Sequence, residues 1–596
     1  MSISNQIKEA AVKALQNLYG AEFSAEGITV STTKPEFEGD YTIVLFGFVK
    51  QLKKSPDILG NEIGNYLVSH QPDIFVSFSV VKGFLNFVIS DKYWLNFLPK
   101  NYQQENYGLR QKTGRRVMVE YSSPNTNKPL HLGHLRNIFL GWSMSEILKA
   151  NGNEIVKTCI VNDRGIHICK SMIAWQLFAN GATPESTGIK GDHFTGDYYV
   201  KFNDEYKAQV KELMDAGSSK EDAEKDAPIM QGARKMLVDW EAGVPEVVEL
   251  WKMMNEWVYK GFDETYNRIG ADFHRKYYES ETYLLGKKMV TQGLEKNVFV
   301  KKDDGSVWID LTADGLDEKI VQRRDGTAVY ITQDIGLFLD KYEEYHCNQS
   351  IYVVGDEQIY HFKVLKLIAE KLHLPNAEAL YHLSYGMVEL PEGKMKSREG
   401  TVVDADDIID EMIAIAKQKT DELGKVKDFT ETDLKELYET IGLGALKFFL
   451  LRVDPKKRMI FNPQDSIDFH GFTGPFVQYT YARIKSILRK LTADISPLTE
   501  IVQSSSELLP LEKELIIMLE QFGATIEEAA NEYDSSKIVL YVFNLAKLFN
   551  SFYAVHSIVN AESEDKKSLR LQIAALTAQC IKTGMGLLGI KVPERM

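Results

Sequence analysis

The chain has little cysteine and no extended apolar run, and these absences narrow what it can be. Its 596 residues include four cysteines, and no two of them are spaced as C-x-x-C, so no zinc site is expected. So few cysteines do not make a disulfide framework either, which favours a reducing cytoplasm. The N-terminus lacks the basic segment and apolar core of a signal peptide. The longest apolar stretch, around Tyr41 to Val49, is far shorter than the ~20 residues of a membrane span, so no membrane association is expected.

Positive charge is also in deficit. The chain has 70 Lys and Arg against 84 Asp and Glu, for a formal net charge of −14. This balance excludes a generally basic surface that would hold nucleic acid by bulk charge, although a local basic patch remains compatible with it. Residues 471–596 contain 13 basic and 14 acidic residues. The acidic surplus therefore lies in the rest of the chain, and any nucleic-acid partner must be bound by local placement of cations and by base stacking.

The length and the hydrophobic pattern predict three domains. At ~150 residues per domain the length predicts two to four domains, and the pattern along the chain favours three. Residues 1–108 combine helical spacing with short β-rich runs and predict a compact α+β domain. Residues 109–470 predict a larger α/β domain, in which the polar stretch 181–245 is an insertion. Residues 471–596 repeat apolar residues at helical spacing and predict an all-α bundle.

The α/β domain opens with a strand, a loop, a helix and a second strand. The strands are predicted at Val117–Tyr121 and Glu154–Val161, with the helix between them. This βαβ unit is typical of a parallel, doubly wound Rossmann-like sheet. Further strands are predicted at Val329–Thr332 and Ser350–Val354.

Two short motifs in this domain suggest nucleotide chemistry. His131-Leu132-Gly133-His134 stands at the start of the predicted helix, where backbone N–H groups and the helix dipole favour an anion. Gly133 allows a close approach to the backbone, and the imidazoles can donate hydrogen bonds to phosphate oxygens that gain charge in a transition state. The second motif, Lys394–Gly400, carries three cations on a glycine-bounded loop, which suits a triphosphate. Each motif alone has an ordinary alternative, a helix start without a ligand or a solvated basic turn.

Together and in this order, the two motifs resemble the HIGH and KMSKS signatures of class I aminoacyl-tRNA synthetases. The segment VEYSSPNTNKPLHLGHLRN at residues 119–137 resembles the signature of arginyl-tRNA synthetases in particular. Further segments of the same resemblance are Val161–Gly165, Asp325–Asp334, GFTGPFVQY from Gly471, and the C-terminal GLLGIKVPERM. The resemblance covers essentially the whole chain. It implies an arginine–tRNA ligase that forms arginyl-adenylate from ATP with Mg²⁺, in a step that depends on tRNA, and then transfers arginine to the terminal adenosine of tRNA(Arg).

The same resemblance implies an arginine site. Glu120 and Asp334 would supply carboxylates for the amino group and the forked guanidinium, with the division between them left open. Tyr330 lies four residues before Asp334, so one helical turn could put both on one face. The other implied contacts to arginine are Ser123, Asn125 and Gln358.

The nucleotide site implied by the resemblance is larger. His361 is placed on the nucleotide side. The catalytic residues are expected to be His131, His134, Lys128, Lys394 and Lys396. The residues expected to bind ATP are Pro124, Asn125, Thr126, Asn127, Lys128, Pro129, Leu130, His131, Leu132, Gly133, His134, His361, Met387, Val388, Lys394, Met395, Lys396 and Ser397.

The second motif departs from the family pattern at one position. Ser397 stands where the full KMSKS pattern has its second lysine, and Lys396 comes one residue earlier. Many arginyl enzymes lack that lysine and use a lysine before the HIGH motif, which Lys128 matches. We therefore expect Lys128 and Lys394 to share the charge, with Lys396 auxiliary.

The C-terminal bundle resembles an anticodon-binding domain, and the N-terminal domain resembles one that contacts the tRNA elbow. In the bundle, the residues expected to contact tRNA are Gln478, Tyr479, Arg483, Asn550, Tyr553 and Met596, because rings can stack on unpaired bases and amides can bond to them. An aromatic stripe at helical spacing is more often part of a core. The resemblance also implies a monomer.

Three other functions are compatible with part of the pattern. A small-molecule adenylyltransferase of the same superfamily would not need the C-terminal helical domain. A cysteinyl-tRNA synthetase would need cysteine and histidine ligands for zinc, and the cysteine spacing offers none. A non-catalytic RNA-binding paralogue would be expected to lose the first motif's histidines or the pocket acids.

Overall fold

The computed structural model describes residues 2–20, 23–389, 391, 403–424, 428–492 and 507–596. Its first part is an antiparallel four-stranded sheet with helices packed on it, in the strand order β1-β2-β4-β3. The elements of this part are α1 Ile3–Tyr19, β1 Val30–Thr32, β2 Tyr41–Val44, α2 Phe46–Leu52, α3 Pro56–His70, β3 Phe75–Val81, β4 Phe84–Ile89 and α4 Asp91–Asn101. Alternating apolar residues bury one face of this sheet against α1 and α3.

The middle part is built around a parallel sheet. Its elements are β5 Arg116–Glu120, α5 Leu132–Ala150, β6 Glu154–Val161, α6 Ile166–Phe178, α7 Pro184–Thr187, α8 Gly191–Asp215, α9 Lys220–Asp226, α10 Pro228–Glu241, α11 Pro245–Ile269, β7 Arg275–Tyr278, α12 Glu279–Thr282, α13 Leu285–Glu295, β8 Val300–Lys301, β9 Val307–Ile309, β10 Lys319–Gln322, α14 Tyr330–Tyr345, β11 Gln349–Gly355, α15 Ile359–Lys371, β12 Leu380–Tyr385, β13 Val388–Glu389, α16 Ala405–Leu423, α17 Glu431–Leu451, β14 Met459–Ile460 and α18 Pro463–Ser466. The five parallel strands have the order β12-β11-β5-β6-β7, so the doubly wound α/β fold is confirmed.

One predicted strand is wrong. Residues 329–332 do not form a strand, because Val329 is the N-cap of α14 and the helix begins at Tyr330. The short β-branched run favours a strand locally, but Ile331 and Ile335 lie one helical turn apart and are both buried. Tertiary packing of this apolar face therefore overrides local β propensity. The predicted strand at Ser350–Val354 is confirmed within β11.

The stretch 181–245 is helical. Helices α8 and α10 pack with α6 and α11 around their own apolar cluster, which includes Met172, Phe194, Phe202, Ala233 and Met254. These apolar side chains are buried and charged side chains such as Lys207 and Glu212 are exposed, so a polar composition still yields a packed helical unit.

The last part is a bundle of five helices within the described residues. They are α19 Gly474–Thr492, α20 Pro510–Glu520, α21 Phe522–Glu532, α22 Ser536–Val555 and α23 Glu564–Leu587. Helix α22 is long and apolar enough, by length and composition, to span a membrane. It packs against α19, α20, α21 and α23, and Val542, Leu545 and Phe549 are fully buried, as in the core helix of a bundle.

Candidate active site

The parallel sheet has its topological switch point between β5 and β11. The chain runs from β5 outward through β6 to β7, and then returns to the other side of β5 as β11 and β12. Crevices at the carboxyl ends of strands beside such a point are the usual ligand sites of open α/β sheets. The loops after β5 and β11 carry the first histidine motif and the segment around Gln358 and His361, so both meet at this crevice.

The two histidines of the first motif form one compact group. His131 is the N-cap of α5, and its backbone N–H donates to Nδ1 of His134 at 3.1 Å. The imidazole rings are stacked with centroids 3.8 Å apart. Burial, together with the nearby Lys128, lowers the pKa of His131 to about 3. Burial, His131 and Lys128 lower the pKa of His134 well below its ordinary value. Both rings are therefore neutral at physiological pH.

Neutrality fixes which ring nitrogen of His134 can donate. Because Nδ1 accepts the backbone N–H of His131, the proton of the neutral ring is on Nε2, which is free to donate to a ligand. Gly133 also has a structural role. A Cβ at this position would lie 3.1 Å from the His131 ring, so the glycine gives space to the first histidine of the motif.

Several buried polar atoms around this motif have no hydrogen-bond partner among the described residues. They are Oγ1 of Thr126, Oδ1 of Asn127 and Nδ1 of His131. Unsatisfied buried polar groups are rare in native proteins and are expected where a ligand completes the bonding. Lys128 lies beside them, and burial lowers its pKa. Polar donors, acceptors and one ammonium at the start of a helix suit a phosphate chain.

The loop after β5 is held in a strained conformation. Ser122 has φ +63°, which non-glycine residues adopt at a cost of about 1–3 kcal/mol. Its N–H donates to Oδ1 of Asn137 at 2.6 Å, and Asn137 donates to the carbonyl of Val353 in β11 at 2.7 Å. This bond network leaves Ser123 and Asn125 exposed at the crevice, where their polar groups can reach a substrate.

Glu120 has a partner within the chain. Its carboxylate accepts hydrogen bonds from the Lys341 ammonium and from Oγ1 of Thr158, the latter at 3.3 Å. The Lys341 side chain is 2% exposed and that of Glu120 is 12% exposed. Glu120 therefore stands at the crevice as half of a buried ion pair rather than as a free acid.

Asp334 is more open. It lies on the first turns of α14, and its Oδ2 is 2.7 Å from Nε2 of His361. Tyr330, one turn earlier on α14, is 71% exposed, and Gln358 is exposed at the start of α15. The structure thus brings Tyr330 and Asp334 onto one helix face, and it places His361 against the carboxylate expected to bind arginine.

A third carboxylate in this region was missed by sequence reasoning. Glu279 directly follows β7. Burial raises its pKa to about 7, with an opposing contribution from Arg164 and smaller reinforcing ones from Asp163 and Asp334. The N–H and Oγ of the adjacent Ser280 donate to Asp163 at 2.8 and 2.7 Å, which fixes the corner that carries Glu279. A carboxylate at the end of a sheet strand would have been the signal, but the short strand β7 was not predicted.

The carboxylates Glu120 and Asp334 share one neighbourhood. Tyr352, fully enclosed on β11, has its pKa raised well above the ordinary value by burial and further by Glu120 and Asp334. Glu279 is in turn within the field of Asp334. Three acidic side chains, from the end of β5, the start of α12 and α14, therefore lie near one crevice, which is the electrostatic environment a cationic ligand needs.

The second motif lies outside the described residues. This applies to Lys394, Met395, Lys396 and Ser397, so their expected roles stay predictions. On the near side, Met387 is exposed, and Val388 is buried in β13, which pairs with β14. On the far side, residues 403–405 pair with the first motif: the N–H of Ala405 donates to the carbonyl of Leu130 at 3.0 Å, and that of Leu132 donates to Val403 at 3.3 Å.

The residues expected to contact tRNA divide into two groups. Gln478 is fully buried, and its Nε2 donates to the carbonyls of Thr440 and Lys591 at 3.0 and 2.8 Å. This geometry makes it an anchor of the C-terminal segment and leaves it no surface for RNA. Met596 is partly buried at the end of that segment.

The other group lies on the surface of the bundle. The Arg483 guanidinium lies over the Tyr479 ring at 4.9 Å and donates to Asn550 at 2.6 Å. Asn550 donates in turn to Thr480 at 2.8 Å. Tyr553 is partly exposed and stacks on Phe549 with an interplanar angle of 7°. An arginine, an amide and aromatic rings held together at a surface suit an unpaired base.

Comparison with known proteins agrees with this architecture. Residues 98–462 match the catalytic-domain model of the class I tRNA synthetases (R), residues 477–596 match the DALR anticodon binding domain, and residues 4–89 match the arginyl tRNA synthetase N terminal domain. The parallel sheet, the histidine motif at its switch point and these matches define a class I aminoacyl-tRNA synthetase.

The full-length relatives narrow the family. The chain is 52% identical to the arginine–tRNA ligase of Bacteroides fragilis and 51% identical to that of Flavobacterium psychrophilum, with all of each chain covered. The chain therefore belongs to the arginyl-tRNA synthetase family. Its fold also matches the Thermus thermophilus and Plasmodium falciparum arginyl-tRNA synthetases, with TM-scores of 0.80 and 0.79 at 23% and 19% identity. These matches cover all of this chain and 100% and 99% of the two structures.

Proposed function

We propose that this chain attaches L-arginine to tRNA(Arg) in two steps, through an arginyl-adenylate. The observation that carries the proposal is the convergence of Glu120, Glu279 and Asp334 on the crevice that also holds the stacked His131 and His134. A cation-binding pocket next to an anion-binding helix start is the combination that a guanidinium substrate and a triphosphate together require.

The arginine side of the pocket uses acids in different states. Asp334 is partly exposed and bonded to a histidine, so it is available to the forked guanidinium. Glu279, with its pKa raised to about 7, becomes fully ionised when a cation binds beside it. Glu120, already paired with Lys341, contributes less charge and mainly shapes the pocket. Tyr330 and Gln358 add polar groups at the rim.

The adenylation step depends on positioning and electrostatics. The arginine carboxylate attacks the α-phosphorus of ATP, which enters as its Mg²⁺ complex, and pyrophosphate leaves. Nε2–H of His134 and the Lys128 ammonium lie where they can stabilise charge on the phosphate oxygens. The neutral state of both histidines makes them hydrogen-bond donors rather than acids, which is the role that a developing phosphorane charge needs.

In the transfer step, the terminal adenosine of tRNA attacks the adenylate and AMP leaves. The Tyr479, Arg483 and Asn550 surface of the bundle would hold the anticodon by stacking and amide bonds. The family resemblance makes the first step tRNA-dependent. We further propose that the enzyme works as a monomer in the cytoplasm.

A direct test is aminoacylation of mixed tRNA with labelled arginine, lysine and citrulline. Citrulline has nearly the shape of arginine but no charge, so it separates recognition of the cation from recognition of shape. We expect arginine to be attached to tRNA and citrulline to be rejected by a factor of about 10⁴ or more. With citrulline, the carboxylates of the pocket would have no cationic partner. Charging of any other amino acid in preference to arginine contradicts the assignment.

The tRNA dependence has its own test. Exchange of labelled pyrophosphate into ATP is measured with arginine, with and without tRNA. Exchange only with tRNA supports the ordered scheme. Equal rates without tRNA would leave the ligase assignment intact and remove the dependence.

The role of Lys128 is tested by the same exchange reaction. In Lys128→Ala the rate should fall well beyond twofold, since the ammonium faces the phosphates of the transition state. A rate within about twofold of the unsubstituted enzyme, a ΔΔG‡ near 0.4 kcal/mol, contradicts this role. Lys149→Ala serves as a control, because Lys149 is an exposed residue at the far end of α5, the helix that follows the loop carrying Lys128.

A further inference from the structure

A polar cluster joins the insertion to the first histidine motif. It lies where the start of α8 meets α11 and the start of α16. The Lys190 ammonium donates to Asp406 of α16 at 2.6 Å, to Thr265 of α11 at 2.6 Å and to Asp192 at 3.2 Å. One lysine therefore connects three helices that are far apart in sequence.

His193 reinforces the same contact. Its Nε2 is 3.2 Å from Asp406 and 3.4 Å from Asp404. A hydrogen bond to Asp406, which outweighs the effect of burial, raises the pKa of His193 to about 8, so the ring is largely protonated at neutral pH. Two cations of α8 thus face two carboxylates of α16.

The carboxylates at the start of α16 are connected to the first histidine motif through the backbone. Asp404 is the N-cap of α16, and it accepts the N–H of Asp406 at 2.7 Å. Its backbone forms an antiparallel bridge with His131. Asp404 therefore links the cluster directly to the backbone of His131, in the motif that we place against ATP.

Helix α8 also touches the other side of that loop. A Cβ at Gly196 would lie 2.9 Å from Cδ of Pro129 and 3.7 Å from Cα of Lys128. Only a residue without a side chain allows this approach. Helix α8 thus packs against the loop before the motif, and its charged side chains hold residues 404–406 beside the motif.

The same side chains include a group with metal-ligand spacing. Ligand atoms of Asp192, His193 and Asp406 lie within 4.8 Å of one another. The Lys190 ammonium, however, already bonds Asp192 and Asp406. A fixed cation of the chain thus meets the need for positive charge that a metal ion would otherwise meet.

We propose that Lys190 and Asp406 are positioning residues, whose ion pair holds residues 403–405 against residues 130–132 and so fixes the His131 and His134 pair for adenylate formation. The proposal rests on the proposed function, since it assigns those histidines to ATP. It gives the insertion a part in catalysis although none of its residues is expected to touch a substrate.

The test uses pyrophosphate exchange by the full-length enzyme with ATP, arginine and tRNA. In Lys190→Met, kcat should fall by about tenfold to hundredfold, since small displacements of a catalytic group have effects of that size. KM for arginine should stay within about twofold, because the carboxylates of the arginine site lie on other elements. Lys190→Arg, which keeps the charge and the donors, should restore most of kcat.

A matched control separates positioning from general stability. Lys157 on β6 is also a buried lysine, 6% exposed and paired with Glu146 and Asp272. Neither of these ion pairs involves the described residues 130–134 or 403–406. Lys157→Met should lower the melting temperature at least as much as Lys190→Met while leaving kcat nearly unchanged. Equal losses of kcat in the two variants, or a loss of stability without a loss of kcat in Lys190→Met, would overturn the proposal.

A second variant covers the case in which Lys190→Met does not fold. Asp406→Asn keeps the shape and one hydrogen bond but removes the charge, and it should lower kcat in the same way. An unchanged kcat in Asp406→Asn overturns the proposal. Attachment of arginine to tRNA by the unsubstituted enzyme is measured alongside. A failure of the ligase assignment is then distinguishable from a failure of the proposed Lys190 and Asp406 positioning role.

Discussion

The carboxylate of Glu120, at the end of β5, is paired with the buried ammonium of Lys341 on α14. This bond crosses from the first strand of the parallel sheet to the helix that carries Asp334. It connects two elements of the proposed arginine pocket, so substitution of either side chain should affect folding as well as binding.

Removing one member of this pair should destabilise the protein. Lys341→Met leaves Glu120 buried without a cation, and an unpaired buried charge typically costs about 3–5 kcal/mol. We expect a decrease of that size in the free energy of unfolding measured with urea. The double variant Lys341→Met with Glu120→Gln should recover part of the loss, because neither charge remains. Additive losses would mean that the two side chains do not act as a pair.

Asp334 should contribute more to arginine binding than Glu120. Asp334→Asn removes a charge-assisted bond to the guanidinium, which is worth about 1.5–3 kcal/mol, so KM for arginine should rise about tenfold to hundredfold. KM for ATP should change little. Asp340→Asn, the same substitution six residues further along α14, is the control. A rise no larger than that control would remove Asp334 from the site.

The pH dependence of arginine binding should report Glu279. Burial raises its pKa to about 7, so below that pH the free enzyme carries a neutral acid and loses attraction for the guanidinium. KM for arginine should therefore rise as the pH falls below 7, by up to about tenfold per unit. In Glu279→Gln, KM should be high and independent of pH across this range. A pH dependence that persists in Glu279→Gln would assign the titration to another group.

His134 should act as a neutral donor. His134→Ala should lower kcat for pyrophosphate exchange by about 10²–10³, as loss of one preorganised donor does, with little change in KM for arginine. Because burial holds the pKa of His134 well below its ordinary value of 6.5, no ionisation of this ring should appear in the kcat profile near pH 6.5. A step near pH 6.5 that disappears in His134→Ala would show that the ring is not held neutral.

Substitutions on the Tyr479, Arg483 and Asn550 surface of the bundle should weaken tRNA binding and leave arginine and ATP binding unchanged. Tyr479→Ala removes a stacking platform worth about 1–3 kcal/mol per base, so KM for tRNA should rise about fivefold to more than a hundredfold. Arg483→Ala should act in the same direction. Lys537→Ala is a matched loss of positive charge in the same bundle, where the lysine is already paired with Glu528 and Glu532. Equal effects of Arg483→Ala and Lys537→Ala would indicate a loss of bulk charge rather than of a specific contact.

Much of the architecture could be predicted because its signals are local. Helical and strand periodicity identified the N-terminal α+β unit, the strands β5, β6 and β11 and the terminal helices, since each buries one regular face. The strand predicted at residues 329–332 is wrong because β-branched residues also fit a helix whose apolar face is buried. The short β7, and with it Glu279, has too few residues for a periodic signal.

The sequence by itself determined the family and the chemistry that the family implies, through the order and spacing of its motifs. This is possible because a nucleotide-binding motif depends on which residue types stand at adjacent positions. Tertiary structure alone decided which residues are available to perform it. The side chain of Gln478 is buried and bonded to backbone carbonyls, and Glu120 is paired with Lys341. Lys190 bonds to Asp406, which lies 216 positions later in the chain. Such partners are chosen by packing and by the need to satisfy buried charges, which depend on elements distant in sequence.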